Sequence, residues 1–420
     1  MAGAAPGTGR PQIRRDLLQL GPCDPRPAGH RITSLLLAFN FPPHGGGIAR
    51  MMGELALRYP PQALVVSTGA YEGGAASDAR FPQTIDRVGI RATRLRTIQG
   101  LARWTLRARR LAKQWNPGFV WCAELKPAGY PAQWLGGIPY GVVLHGTELL
   151  LIEEKIRRSG FKRRTAGGII GKAAVLVANS RWTAELARQV LGALGLDVPV
   201  ETVPLGTTPD HFRPGIDPTA VRQQYGLNGG PWLLTVARLE WHKGIDTMMK
   251  ALPTIRAAHP HARYAIAGVG DRRPQLEQLR ESLGLGDAVK FLGAVADADL
   301  PALYNAADLY VGPSRRHELL VEGFGISLVE ASACGLAVVG GRSGGVPDAV
   351  REGETGILVD PDDPAAVAAG VNELLANPDR RKQLGAAGRR AVESYYNWDR
   401  VAKDIIRIEA SYSLASRAGR

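Results

Sequence analysis

The chain has 420 residues, of which 45% are hydrophobic and 22% charged, a composition typical of soluble globular proteins. This length is too great for one ordinary hydrophobic core, so it predicts two domains. No uninterrupted apolar run reaches the roughly 18 residues of a membrane-spanning helix. The three cysteines, Cys23, Cys122 and Cys334, are odd in number and widely spaced, which disfavours a disulfide framework or a zinc site and indicates a reducing cytoplasm.

The net charge of +13 is concentrated in one half of the chain. Residues 1–214 contain 28 Lys and Arg against 14 Asp and Glu, whereas residues 215–400 contain 20 against 23. A solubilising surface explains this excess. Attraction to an anionic membrane, an acidic substrate or nucleic acid is the functional alternative. We expect a cytoplasmic protein, with peripheral binding to the inner face of the plasma membrane as the functional hypothesis.

The N-terminal region predicts a tail followed by a strand, a loop and a helix. Residues 1–29 are rich in Pro and Gly, lack the apolar core of a signal peptide, and are expected to be disordered. Residues 31–39 form an apolar run typical of a buried parallel strand, and residues 48–57 have helical spacing. Between them, Gly46 and Gly47 let a phosphate approach the helix N-terminus, which is the preferred interpretation over a tight turn alone. The loop is neither a GxGxxG nor a Walker sequence, which disfavours dinucleotide and ATP sites.

Short apolar runs alternate with helical stretches throughout the chain, which predicts doubly wound α/β domains with parallel sheets. The further predicted strands are residues 63–67, 119–122, 140–145, 174–179, 200–203, 232–236, 264–267, 289–292, 309–311, 337–339 and 357–359. Ligands bind at the carboxyl ends of such strands. His145 lies at one of these ends beside Gly146, so both a functional and a structural role are open. Asn179 and Ser180 lie at the next, where we expect them to cap the following helix.

A basic helix is predicted between the early strands. Residues 87–113 carry nine basic residues and no acidic one. Five apolar residues fall at helical spacing: Leu101, Trp104, Ala108, Leu111 and Trp115. A basic amphipathic helix can lie on an anionic bilayer, whereas an ordinary surface helix that packs its stripe on the sheet explains the same pattern. A second basic cluster lies at residues 155–164. No nucleic-acid-binding motif accompanies these charges, so nucleic acid is not an expected partner.

Two cations follow the first strand of the second half. Arg238 and Lys243 lie just beyond the strand end, and Gly244 opens the next helix. A guanidinium fork and an ammonium point charge in this position suit a diphosphate. Ion pairs with Glu240 and Asp246 are the alternative.

The segment Asp297-Ala298-Asp299 resembles a metal-binding DxD pattern. It directly precedes a predicted helix, however, so helix capping is the preferred interpretation, and no metal is expected.

Glu322 and Glu330 lie eight residues apart with Gly323 and Gly325 between them. The glycines predict a turn that places Glu322 before a helix beginning near Ile326, with Glu330 inside that helix. The first N–H groups of a helix lack internal partners, and ionised carboxylates accept hydrogen bonds from hydroxyls. The arrangement suits a hydroxyl-rich ligand such as a sugar, but two glutamates at this spacing also arise by chance.

Taken together, four segments resemble retaining glycosyltransferases of family 4, the glycosyl transferases group 1, which have the GT-B fold. The segments are RLEWHKG at 238–244, VKFLG at 289–293, EGFGISLVEASACGLAVV at 322–339, and SGGVPDAV with GETGILV at 343–359. Glu322 and Glu330 match the E-x7-E motif of that family. The EGFG opening is similar to bacterial phosphatidylinositol mannosyltransferases.

The resemblance implies an α/β fold with two Rossmann-like domains facing each other across a cleft, and a role for each matching residue. The implied catalytic residues are His145, Arg238, Lys243 and Glu322. The implied donor-binding residues are Gly46, Gly47, Lys290, Phe324, Gly325, Ile326 and Glu330. Among them, Arg238 and Lys243 would hold the donor diphosphate, and Glu330 the ribose hydroxyls. Lys290 would meet the base through its backbone.

The implied reaction moves a hexose-type sugar with retention from a nucleotide-diphosphate sugar, either GDP-mannose or a UDP-sugar. The acceptor would be a hydroxyl of a glycolipid, a polysaccharide precursor or a small molecule, and no cofactor is expected. The implied domains span residues 30–210 and 211–397, and a helix at residues 398–420 returns to the first. A sugar-nucleotide epimerase on the same fold and a non-catalytic sugar-nucleotide-binding protein are the alternatives.

Overall fold

In a computed structural model of the protein, which describes residues 34–91, 94 and 96–418, the chain forms two parallel β-sheets flanked by helices. The first described sheet contains β1 (Ser34–Leu37), β2 (Leu64–Ala70), β3 (Thr84–Arg91), β4 (Phe119–Cys122), β5 (Tyr140–Leu144), β6 (Val175–Ala178) and β7 (Val200–Thr202). The second contains β8 (Trp232–Val236), β9 (Arg263–Ala267), β10 (Val289–Gly293), β11 (Leu309–Gly312), β12 (Val338–Gly341) and β13 (Gly356–Val359). The predicted tail at residues 1–29 lies outside the described residues.

Helices connect the strands in the manner of repeated strand–helix–strand crossovers. Those between the strands of the first sheet are α1 (Gly47–Arg58), α2 (Gly74–Asp78), α3 (Ile98–Trp115), α4 (Gly129–Ala132), α5 (Thr147–Arg158), α6 (Gly160–Ile170) and α7 (Arg181–Leu194). The others are α8 (Thr219–Tyr225), α9 (Ile245–Ala258), α10 (Arg273–Ser282), α11 (Leu300–Ala306), α12 (Ile326–Ala333), α13 (Val346–Ala349), α14 (Pro364–Ala376), α15 (Pro378–Ser394) and α16 (Trp398–Ala418). Among the described helices, none is both long and apolar enough to cross a bilayer.

Both sheets have the strand order of doubly wound domains, as predicted. The first runs β3-β2-β1-β4-β5-β6-β7, and the second runs β10-β9-β8-β11-β12-β13. The order therefore reverses beside β1 in the first sheet and beside β8 in the second. Crevices form at such reversals, outside the carboxyl ends of the strands, and this is where ligands bind in open α/β sheets.

One strand of the first sheet was absent from the sequence prediction. The edge strand β3 mixes charged with apolar residues, so it lacks the continuous apolar run that identified the buried strands. It also contains the beginning of the basic run at residues 87–113. Within it, Arg87 pairs with Asp78 at 2.7 Å, and Asp86 pairs with Arg107 of α3. Two arginines of the predicted basic surface are therefore paired with carboxylates of the same domain.

The apolar stripe of α3 packs on the sheet. Trp104, Ala108 and Leu111 are buried, and the Trp104 indole N–H donates to Ser67 Oγ at 3.1 Å. These three residues therefore pack as in an ordinary surface helix whose apolar side faces the sheet. Ile98 and Leu106 of the same helix instead remain exposed, at 89% and 58% of their surface.

Two chain segments that connect the halves run side by side. Thr207 N–H donates to Tyr396 O at 2.9 Å, and Trp398 N–H donates to Thr207 O at 3.3 Å. Gly206 permits this approach, because a Cβ on it would lie 2.6 Å from the backbone of Asn397. We retain the boundaries at residues 210 and 397 as a proposal on the basis of this paired crossing.

A buried carboxylate fixes α16 to the first sheet. Glu409 accepts hydrogen bonds from Ser34 Oγ at 2.6 Å, Tyr59 OH at 2.8 Å and Trp121 Nε1 at 2.8 Å. Burial raises the pKa of Glu409 above its ordinary value, although all three hydrogen bonds favour the ionised form. The C-terminal helix therefore belongs structurally to the first sheet, even though its sequence follows the second.

Glu409→Ala should destabilise the protein by about 3 kcal/mol, because it leaves three buried donors without their acceptor. The urea midpoint of unfolding measures this loss. Asp404→Ala on the same helix is the matched control, since Asp404 is partly exposed and pairs with Arg400 at 3.2 Å within one turn. We expect that control to change stability by no more than about 0.5 kcal/mol. Equal midpoints for the two variants would show that Glu409 does not anchor α16.

Candidate active site

A cleft of about 700 Å³ lies between the two sheets, at the carboxyl ends of their strands. Ten of the eleven predicted site residues line it: Gly46, Gly47, His145, Arg238, Lys243, Glu322, Phe324, Gly325, Ile326 and Glu330. The roles assigned to these residues by resemblance stay predictions. Their convergence from both halves of the chain on one cavity is a structural finding.

Two helix N-termini face each other across this cleft. Helix α1 begins after Gly46 (φ 107°), and α12 begins after Gly325 (φ 102°), as the glycine turn predicted. In both, a glycine occupies the position where a side chain would otherwise cap the first N–H groups, and no side-chain cap is formed. A Cβ on Gly47 would lie 3.5 Å from Ile326 Cδ1, so the two ends are close. Unpaired N–H groups and the positive ends of both helix dipoles thus converge on one space.

The two predicted cations are paired with carboxylates in the cleft. Lys243 Nζ lies 2.5 Å from Glu322 Oε2, and Arg238 pairs with Glu240. Burial alone would raise the pKa of Glu322, but Lys243 holds it below its ordinary value. Of the alternative surface pairs, the one with Glu240 is confirmed. The one between Lys243 and Asp246 is wrong, because Asp246 pairs with Arg315 at 2.9 Å.

Glu330 is the most deeply buried carboxylate of the cleft, with its side chain 3% exposed. Tyr304 OH donates to its Oε2 at 2.8 Å, and Arg50 of α1 pairs with its Oε1. Burial raises the pKa of Glu330 above its ordinary value despite both partners. Sequence reasoning missed Arg50 and Tyr304. In the sequence, both look like ordinary residues of amphipathic helices. Only their position in the helices that follow the glycine loop and the DxD segment distinguishes them.

The DxD segment has a different role from the expected capping. Asp299 occupies the N-cap position of α11, but its side chain makes no cap hydrogen bond. Asp297 instead pairs with Arg50 at 2.8 Å across the cleft. Asp299 therefore has the expected position without the expected hydrogen bond, and the capping interpretation is wrong for Asp297, which Arg50 of α1 engages instead. In the described part of the chain, no group of three or more His, Cys, Asp and Glu is arranged to hold a metal.

His145 is held from both sides at the end of β5. Its ring Nε2 lies 2.7 Å from Ala123 O, and its backbone N–H donates to Glu148. A carbonyl oxygen only accepts, so Nε2 carries a proton in this contact, and in the corresponding neutral tautomer Nδ1 is the acceptor. The glutamate loop of the second sheet also packs here, since a Cβ on Gly323 would lie 2.0 Å from His145 O.

The expected helix cap beside this strand is confirmed for Ser180, whose Oγ accepts from Thr183 N at 3.1 Å.

Lys290 is the one predicted site residue that does not line the cleft. It is the second residue of β10, and its Nζ donates to Gly226 O at 2.8 Å on the far side of the sheet edge. The cleft begins past the carboxyl end of that strand, at Ala294 and Val295. Contact between the Lys290 backbone and a base stays a prediction.

A further carboxylate, Glu124, lies at the strand reversal of the first sheet. It follows β4 and accepts from Phe39 N, just past β1, at 2.9 Å. Its Oε2 is buried without a hydrogen-bond partner among the described residues. Burial raises the pKa of Glu124 to about 8, against the opposing effect of the Phe39 N–H and Arg96. Its neighbour Ala123 provides the carbonyl that contacts His145 Nε2, so Glu124 lies directly beside the contact that holds the histidine.

The chemistry of the cleft matches a ligand that combines a diphosphate with hydroxyl-rich groups. Two helix N-termini, Arg238 and Lys243 can attract a diphosphate, and this role stays a prediction. Glu322 and Glu330 flank this region as acceptors for hydroxyls.

Comparison with known proteins identifies two matching families and similar full-length proteins. Residues 45–211 match Glycosyltransferase Family 4, and residues 217–391 match Glycosyl transferases group 1. Over 376 residues, 87% of this chain and 94% of the relative, the chain is 33% identical to a GDP-mannose-dependent alpha-(1-6)-phosphatidylinositol monomannoside mannosyltransferase from Mycolicibacterium smegmatis. A Mycobacterium tuberculosis protein of the same name is 33% identical over 384 residues, 88% of this chain and 96% of the relative.

Among solved structures, HepE from Anabaena in complex with UDP and glucose is similar, with a TM-score of 0.73. The match covers 90% of this chain and all of HepE, at 21% identity. At this identity the likeness establishes the fold.

Glu124→Gln should flatten the pH dependence of stability. In the wild type, the folded-state pKa of about 8 lies above the ordinary value of 4.5. Between these values the folded protein retains a proton that the unfolded chain releases, so the free energy of unfolding falls as the pH rises. Glutamine does not titrate, so the variant lacks this contribution to the pH dependence of the free energy of unfolding. Urea midpoints at about pH 5 and about pH 8.5 test it. Parallel pH profiles for wild type and variant would contradict a buried, proton-retaining Glu124.

Proposed function

The chain belongs to glycosyltransferase family 4, and from this premise we propose that it transfers mannose from GDP-mannose, with retention, to a hydroxyl of a lipid-linked acceptor at a membrane surface. It has the GT-B fold and is a hexosyltransferase that uses a nucleotide-sugar donor. Neither an epimerase nor a non-catalytic binder is favoured, since the relatives are named as transferases. The observation that carries the proposal is the cleft in which Lys243, Glu322 and Glu330 surround two facing helix N-termini.

Lys243 and Arg238 are proposed to bind the donor diphosphate and to stabilise the charge that develops as it leaves. Inside the cleft, Lys243 is paired with Glu322 at 2.5 Å. A diphosphate entering beside α12 offers Lys243 a more highly charged partner, which frees Glu322 to accept a hydroxyl of the donor sugar. Stabilisation of a leaving diphosphate by fixed cations and helix N–H groups is an electrostatic contribution that needs no metal.

Retention is proposed to arise without a carboxylate nucleophile. Glu322 is proposed to accept a hydroxyl of the donor sugar, and Glu330 is held by Arg50 and Tyr304. The leaving phosphate therefore acts as the base for the acceptor hydroxyl, which attacks on the face from which the phosphate departs. The protein contributes positioning and charge stabilisation. His145, with Nδ1 as its free acceptor, positions a sugar hydroxyl from the opposite side of the cleft.

The acceptor is proposed to be lipid-linked because the relatives are named for a phosphatidylinositol mannoside and because the first half of the chain presents a basic, partly apolar surface. Phe161 is 77% exposed on α6 and precedes Lys162, Arg163 and Arg164. Trp134 is also exposed and has Lys172 Nζ 5.7 Å from its ring centroid. Apolar side chains among cations suit the interface of an anionic bilayer. Peripheral binding on the cytoplasmic side follows as part of the proposal.

A donor screen with site variants tests the reaction. GDP-mannose should raise the melting temperature of the wild type and be hydrolysed or transferred, whereas UDP- and ADP-sugars should have smaller effects. Lys243→Ala and Glu330→Ala should each reduce turnover by about two or more orders of magnitude while the fold is retained. Lys250→Ala is the matched control, since Lys250 is half exposed and pairs with Asp246 outside the cleft. Wild-type turnover in both site variants would sink the assignment.

A vesicle experiment tests the membrane part separately. The wild type should cosediment with phosphatidylglycerol vesicles at low salt and less so with phosphatidylcholine vesicles. The double variant Trp134→Ser and Phe161→Ser should weaken that binding at least about tenfold, because two exposed apolar side chains no longer enter the interface. Hydrolysis of the donor in solution should be unchanged in the same variant. Equal sedimentation of variant and wild type would remove this surface from the proposal.

A further inference from the structure

Arg50 bridges the two halves of the protein inside the cleft. It lies in the first turn of α1, beyond the glycine loop, and its side chain is 29% exposed. One guanidinium nitrogen pairs with Glu330 of α12, and the other lies 2.8 Å from Asp297, which precedes α11. Both carboxylates belong to the half of the chain that carries the second sheet. A single side chain of the first half thus engages two acidic residues of the other.

Glu330 depends on this contact for its counter-charge. Among the described contacts, Arg50 makes the one ion pair of Glu330, and the Tyr304 hydroxyl supplies its other hydrogen bond at 2.8 Å. Without Arg50, a 3% exposed carboxylate would keep one neutral donor and would face the like charge of Asp297. A buried carboxylate in that situation is strongly disfavoured as an anion and tends to take up a proton. Its capacity as a pure hydrogen-bond acceptor would then be lost.

We propose that Arg50 is a positioning residue for the donor nucleoside, acting through Glu330 from the opposite side of the cleft. The inference rests on the proposed function, in which Glu330 accepts the ribose hydroxyls of the donor. The guanidinium stabilises the ionised form of the Glu330 carboxylate and orients it, while Asp297 holds the second nitrogen of the guanidinium. The ribose site is therefore complete only when the two halves are closed on each other.

The geometry separates this role from a structural one. Arg58 lies two turns further along α1 and also pairs with two carboxylates, Glu54 at 2.5 Å and Asp399 at 2.6 Å. It does not line the cleft. Arg58→Gln therefore removes a comparable arginine from the same helix without touching the site, and it serves as the matched control.

A double-mutant cycle with nucleotide binding as its readout tests the proposal. The variants are Arg50→Gln, Glu330→Gln, their combination, Arg50→Lys and the Arg58→Gln control. Calorimetry with GDP, with UDP run in parallel, measures affinity, and donor turnover gives KM and kcat separately. Arg50→Gln should weaken GDP binding and raise the donor KM about tenfold or more, with kcat changed less than about threefold. The combined variant should bind GDP within about twofold of Glu330→Gln alone, because the arginine acts through the glutamate. Arg58→Gln should match the wild type.

Arg50→Lys keeps the charge and loses the fork, so it should recover part of the affinity, and it replaces Arg50→Gln if the latter does not fold. Losses that multiply in the combined variant would overturn the inference, since the arginine would then act on the nucleotide independently of Glu330. Unchanged GDP affinity in Arg50→Gln would overturn it too. If the wild type binds neither GDP nor UDP, the proposed function itself fails. If the wild type binds GDP or UDP and Arg50→Gln binds GDP with the same affinity, only this inference fails.

Discussion

A charge removed from water has to find a partner, and this constraint organises the cleft. Lys243 is paired with Glu322 and Glu330 with Arg50, and the largely exposed Arg238 pairs with Glu240. Because each of these charges already has a partner, none of the buried ones is isolated. A ligand that enters must exchange partners with them. The site is thus prepared for a molecule that brings negative charge for the cations and hydroxyls for the carboxylates at the same time.

The scaffold meets this constraint by placing functional groups where strands end and helices begin. The strand order of each sheet creates a crevice, and the two crevices face each other. Glycine allows the final approach, since Gly323 packs against the His145 carbonyl with no room for a side chain. Far from the cleft, Glu409 ties α16 back to the first sheet through three hydrogen bonds. The chain therefore crosses between the halves twice, at Thr207 and again at Asn397.

The parts of this arrangement that the sequence predicted are those governed by local rules. Buried parallel strands such as β4 and β8 form continuous apolar runs, and the helix start at Ile326 follows from its preceding glycine. The failures concern contacts between segments distant in sequence. Arg50 and Glu330 are separated by 280 positions, so no periodicity links them. Asp297 had the local sequence pattern of a helix cap, but it pairs with Arg50, which is distant in sequence. The edge strand β3 was missed because one side of it faces solvent and mixes charge with apolar residues.

Partner exchange also limits what the ion pairs contribute to donor binding. In the proposed function, Lys243 gives up Glu322 when it takes up a diphosphate, so the gain is a difference between two charge-assisted contacts rather than the full strength of either. The interactions that are new on binding are those to the uncapped N–H groups of α1 and α12 and those from ligand hydroxyls to the carboxylates. In that proposal, affinity and selectivity rest on the geometry of the two facing helix ends, and residues of both halves have to hold that geometry.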